Sequence, residues 1–164
     1  GAPIPVTVSL TDPGGETTSC VLSIEAVDEI APVCASAPQV DIKVFLVGAY
    51  DNSTGLMRDD LRAMGLIPTT SPYGGGIKKT TNAILAAAGQ NAIVDWVELE
   101  IRSSGAPALV LHTQSALLQR DGDIVDVDGV SPVYLTGVPT GAYYVAVRHR
   151  NHLGMMTGSS VILD

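Results

Sequence analysis

Apolar and polar residues alternate in several short runs of this chain. In VTVSL, Val6, Val8 and Leu10 alternate with Thr7 and Ser9. Beyond Asp12-Pro13-Gly14-Gly15, a turn signal, the run CVLSIEAVD sets Leu22, Ile24 and Ala26 against Val21, Ser23, Glu25 and Val27. A period of two marks a half-buried strand, so the first part of the chain is expected to be a β-hairpin. Pro32 breaks the pattern within DEIAPVC, and ASAP at residues 35–38 reads as a hinge. The predicted organisation is a hairpin unit at 1–34 and a separate domain at 39–164.

In the second unit, VDIKVFLVGAY places Val40, Ile42, Val44 and Leu46 on one side and Asp41, Lys43 and Phe45 on the other, the pattern of a half-buried strand. LMRDDLRAMG has Met57, Leu61 and Met64 at helical spacing, with Asp59 and Asp60 early, Arg62 late and Gly65 as the stop. LIPTTSPYGGGIKKTT is expected to be a flexible surface loop. NAILAAAG fits a helix by alanine propensity and a strand by position; the strand is preferred. In VDWVELEIR, Val97, Leu99 and Ile101 are expected inside and Glu98, Glu100 and Arg102 in water. ALVLHTQSALLQ, AYYVAVRHR and SSVIL complete the predicted strands. About eight strands at roughly 8–12-residue spacing, with one short helix in a connection, predict an all-β fold, an antiparallel β-sandwich preceded by the hairpin.

Composition narrows the function classes. The 164 residues are 46% hydrophobic and 16% charged, with one Phe and one Trp, so an aliphatic core is expected. The formal net charge of −8 disfavours nucleic acid as a partner, since phosphate binding needs clustered Lys and Arg. No 18-residue apolar run is present, so no membrane insertion is expected. Gly1-Ala2-Pro3 has neither a charged n-region nor an apolar h-region, which suggests a removed leader or a piece of a longer chain. Cys20 and Cys34 lack His or Cys partners at zinc spacing. They are either a disulfide of an oxidising compartment or two buried thiols. A bridge would stabilise by about 3 kcal/mol through chain entropy.

Two stretches resemble known repeats. VTVSLTDPGGETTSCVLSIEAVDEIAPVC is similar to the last two strands of a hyalin repeat or a related immunoglobulin-like repeat, through Asp12, Gly15, Cys20, Asp28, Ala31, Pro32 and Cys34, with Glu16 where those repeats usually have Asn. Only the last third of such a repeat is covered. VFLVGAYDNSTGLMRDDLRAMGLIPTTSPY, NAIVDWVELEIR, ALLQRDGDIVDVDG and YYVAVRHRNHLGMMT resemble a module of very large secreted surface proteins of gliding and related Gram-negative bacteria, often exported by the type IX route. VPTGAYYVAV also resembles the final strand of transthyretin-like sandwich modules. These resemblances imply an extracellular, cell-surface setting and a β-sandwich. They do not imply a biochemical activity.

The candidate chemistry is sparse. Asp121, Asp123, Asp126 and Asp128 in RDGDIVDVDG offer hard oxygen ligands, and calcium is the cofactor they would take. The EF-hand spacing and its closing Glu are missing, however, and carboxylates bonding turn amides account for the pattern equally. RHRNH brings His149 and His152 three apart, on one face of a helix but not of a strand. Zinc would need a third ligand, so Arg148, His149, Arg150 and Asn151 are read as tying loop backbone and nearby carboxylates. SPYGGGIKK fails the phosphate-loop pattern. Glu98 and Glu100, two apart on a strand, lack the opposed placement of a glycosidase pair. No nucleophile motif is present, so no enzyme is expected.

The expected function is therefore a structural subunit of a bacterial surface fibre or adhesin stalk. A lone hairpin is marginal in water, so Val6, Val8, Leu10, Leu22 and Ile24 need a cover, supplied by strand complementation. The partners would be copies of the chain or neighbouring domains of a longer surface protein. The alternative is a glycan- or protein-binding module. Its support is thin, because sugar platforms use exposed aromatics and only Trp96, Phe45 and five tyrosines are available.

Overall fold

A computed structural model describes the backbone of Ile4–Thr11 and Thr17–Ile24 and all of residues 37–164. The Asp12–Gly15 turn, the Asp28–Cys34 junction and the proposed Cys20–Cys34 bridge lie outside the described residues. The chain divides into two compact units, Gly1–Ala35 and Ser36–Asp164.

The first unit contains β1 (Ile4–Thr11) and β2 (Thr17–Ile24), paired antiparallel. Ile4 stands opposite Ile24, Val6 opposite Leu22, Val8 opposite Cys20 and Leu10 opposite Thr18. Directly opposed residues share a face. The five positions expected to form the assembly surface, Val6, Val8, Leu10, Leu22 and Ile24, therefore fall on one face of the ribbon.

The second unit is built on one large antiparallel sheet. Its centre is β6 (Ile93–Ser103), flanked by β7 (Val110–Gln119) and β10 (Gly141–His149). Beyond β7 lies β8 (Ile124–Val125). Along the outer side of β10 lie β11 (His152–Met156) and β12 (Val161–Leu163). A ribbon of β3 (Gln39–Val40) with β9 (Val133–Tyr134) and another of β4 (Tyr50–Asp51) with β5 (Leu56–Met57) complete the strands. The fold is all-β and antiparallel. The layer facing the large sheet is two ribbons of two-residue strands rather than a second full sheet.

Both faces of the large sheet are buried. On one, Val97, Leu99 and Ile101 of β6 and Val145 and Val147 of β10 pack with Val40, Val44, Leu46, Met57 and Val133. On the other, Ile93, Trp96 and Leu117 pack with Ile67 and Leu85 from the connection between β5 and β6. A β-bulge between Ile93 and Asp95 makes this split. Strict alternation would put Ile93 on the side of Val97. The extra residue moves Ile93 to the side of Trp96 and sends Val94 to the other cluster.

Several expectations are corrected. Residues 40–46 keep the predicted in–out alternation, but only β3 and an isolated Lys43–Asp123 bridge carry strand pairing. Two helices replace one. The first, α1 (Asp60–Ala63), is shorter than expected because Leu56–Met57 is strand. NAILAAAG is not a strand: α2 (Asn82–Ala86) starts on Thr81, whose hydroxyl accepts from Ile84 N at 3.3 Å. The glycine-rich connection is a cover rather than a flexible loop. Trp96 Nε1 donates to Pro68 O at 2.8 Å, Ser71 bonds Ser115, and Thr80 donates to Val127 O at 2.6 Å. A Cβ at Gly75 would run into Thr113, and Gly76, at φ +57°, lies so close that its Cβ would be 2.8 Å from Thr113 O. Those glycines let one backbone lie on another. Trp96 has no exposed surface, so it is no sugar platform. Glu100 does not face water: it is 4% exposed, held by Arg102 and Arg148.

Candidate functional site

Two side chains of the β10–β11 hairpin, His149 and Arg150, converge on the buried carboxylate of Asp95. It follows the bulge in β6, is 1% exposed, and lies beside the β10–β11 hairpin. Asp95 Oδ1 accepts from Trp96 N at 2.8 Å. Arg150 grips both carboxylate oxygens, with Nη2 at 2.8 and 3.0 Å and Nε at 3.0 Å. His149 Nε2 stands 3.1 Å from Oδ2. Burial pushes the Asp95 carboxyl up. The His149, Trp96 and Arg150 bonds outweigh it and hold the group below its ordinary value. Such a fork on a buried carboxylate fixes position as well as charge.

The turn that delivers these groups is only Arg150 and Asn151. His149 pairs with His152 across it in the β10–β11 register, with another bulge just before. His149 and His152 were expected to meet only on a helix. A two-residue hairpin turn brings them together instead, with ring centroids 4.9 Å apart and Nδ1 to Nδ1 2.9 Å. Asn151 N donates to His149 Nδ1 at 3.2 Å. Tyr73, from the connection covering the other face, braces the turn: its hydroxyl donates to Trp96 O at 3.2 Å and accepts from Arg150 N at 3.0 Å. Burial raises the pKa of that phenol.

A cleft of about 240 Å³ opens beside this cluster. Its apolar wall is Leu46, Ala49, Leu61 and Val94, and its polar groups include Arg58, Asp60, His149 and His152. Arg58 donates to Gly48 O at 3.1 Å, and both residues line the cleft.

The four aspartates proposed for calcium are held separately. Asp121 accepts from Asp123 N at 3.3 Å, while Asp123 pairs with Lys43 at 2.6 Å. Asp126 pairs with Lys78 at 2.6 Å. Asp128 caps its own turn, accepting from the Ser131 hydroxyl, Val130 N at 2.9 Å and Ser131 N at 2.8 Å, and these bonds lower its pKa. Among the described residues no group of three or more His, Cys, Asp or Glu is placed to hold a metal ion.

Sequence reasoning found Arg148, His149, Arg150 and Asn151 but missed Asp95. The available signal was a carboxylate inside an otherwise apolar strand start, AIVDWV. An unpaired charge there would be costly, so a cation partner is required. Glu100 is the second case. Arg102 Nε reaches it at 2.8 Å and Arg148 Nη1 at 3.1 Å, and although burial pushes its pKa up, the two arginines bring it down. His112 on β7 is elsewhere, with Nε2 buried and no partner among the described residues.

Among the described residues no helix is long and apolar enough to cross a membrane. No family model, no curated protein and no solved structure matches the chain.

Proposed function

We propose that the chain is an extracellular structural module of a bacterial surface fibre or adhesin stalk, assembling by strand complementation through its hairpin. The observation that supports this is the β1–β2 ribbon. It is a two-stranded sheet in a compact unit of its own, with Val6, Val8, Leu10, Leu22 and Ile24 on one face of the register. An isolated two-stranded ribbon is marginally stable. Neither strand carries a charge, so the edges lack a charged guard against pairing with another chain, although Pro5 removes one backbone donor from β1. A second copy, or a neighbouring domain of a longer surface protein, would complete the sheet.

The test is the concentration dependence of mass by sedimentation, with negative-stain microscopy. The intact chain is expected to form larger species as concentration rises. The double variant Val8→Lys, Leu22→Lys is expected to stay monomeric with the thermal transition of the second unit unchanged. A chain that is monomeric at every concentration sinks the reading.

A second reading, a ligand-binding module of a cell-surface adhesin, is favoured by one observation, the cleft beside Asp95, His149 and His152. A glycan array and a binding screen with surface proteins, both without hits, would remove glycan and protein as its ligands.

A further inference from the structure

The hydrogen bonds around Asp95 dictate where the protons of the two histidines sit. An ionised carboxylate only accepts, so His149 Nε2 carries a hydrogen and donates it to Asp95 Oδ2. Asn151 N–H points at His149 Nδ1, which must therefore be the accepting nitrogen. His152 Nδ1, 2.9 Å from that same atom, is then the donor. In neutral His152 this leaves Nε2 without a hydrogen. Nε2 is the nitrogen turned toward Gly48, where a Cβ would stand only 3.1 Å away. Glycine at 48 keeps the approach to that lone pair open on the cleft side.

We propose that Asp95, His149 and His152 form an oriented hydrogen-bond chain that presents His152 Nε2 as an acceptor in the cleft, a binding site for a small ligand joining a hydroxyl donor to an apolar body. The apolar body packs against Leu46, Ala49, Leu61 and Val94, and the hydroxyl donates to Nε2. Every group behind the acceptor is fixed. Arg150 and Trp96 N hold Asp95, Asp95 holds His149, and His149 holds His152. A ligand therefore meets a preset acceptor rather than a ring free to choose its tautomer. This proposal rests on the binding-module reading of the same cleft and names the ligand chemistry.

The experiment separates the two. On the full chain, long-range ¹H–¹⁵N correlation spectra are expected to show His149 as the Nε2–H tautomer and His152 as the Nδ1–H tautomer. His152 as the Nε2–H tautomer overturns the proposed chain whatever the cleft binds. Titration with phenol is expected to shift the His152 Nε2 resonance, while toluene, with the same ring and no donor, leaves it in place. His152→Asn keeps a donor toward His149 but lacks Nε2, and is expected to weaken phenol binding at least tenfold. Equal binding of phenol by His152→Asn, or equal responses to phenol and toluene, overturns the acceptor role. With the tautomers as stated and neither probe bound, the proposed site fails, and larger glycan or protein ligands are decided by the screens above.

Discussion

The loop around β8 and the turn between β10 and β11 are both charge-rich tips, yet they use charge in opposite ways. Around β8, Asp123 goes to Lys43, Asp126 to Lys78 and Asp128 to its own turn amides. At the β10–β11 turn, Arg150 and His149 converge on one carboxylate, Asp95, which has almost no exposed surface. The difference is set by where the partner lies. Separate partners, exposed for Asp123 and half-buried for Asp126, disperse the charges, whereas one acid buried in β6 collects the groups around it. A buried, saturated carboxylate can orient what surrounds it; an exposed pair such as Lys43–Asp123 contributes little beyond local shape.

The sharpest way to break that contrast is Asp95→Ala. It should cost about 3 kcal/mol in denaturant-induced unfolding, at the low end for breaking a buried pair. Arg150 is about a third exposed and regains some water. The β10–β11 turn should also lose amide protection in hydrogen exchange. Acid comes next. Asp95 and Glu100 both have folded-state pKa values below their ordinary ones. Their contribution to stability is complete above the ordinary carboxylate range and is lost as the pH falls through their lowered folded-state values. Stability measured from pH 6 to pH 3 should fall, and Asp95→Ala should flatten that fall. Asp128→Ala should cost about 1 kcal/mol, the net value of turn hydrogen bonds, read as a shift in the denaturant midpoint. The smallest effect belongs to Lys43→Ala, which removes an exposed pair with Asp123 and should leave the midpoint unchanged within error.

Much of the fold was readable where one face of a strand meets solvent. Val40, Ile42, Val44 and Leu46 alternate correctly with Asp41, Lys43 and Phe45 even though few of them sit in a ladder. Reading failed where both faces are covered. Glu100 looks solvated by period alone, but it is buried because Arg102 and Arg148 neutralise it. The helix at Asn82–Ala86 was signalled by Thr81 as an N-cap, a cue weaker than the neighbouring strand pattern. β11 was missed because Leu153, Met155 and Met156 are exposed at a sheet edge, so no burial period marks them. The Asp95 cluster depends on long-range pairing: Asp95 and Arg150 meet only because β10 lies against β6 and a two-residue turn folds back.

The bulge at Val94 lets the start of β6 carry one residue more than its partner strand. One residue out of phase there decides which side of the sheet each upstream side chain meets. Val94 is the one residue of slack in the strand, the unpaired member between two paired neighbours. Deleting Val94 alone would take up that slack and leave Ile93 two positions before Trp96, the same-side spacing of a regular strand. Trp96 and Leu117 would keep Ile93 as a neighbour, and the opposite cluster would lose only the Val94 side chain.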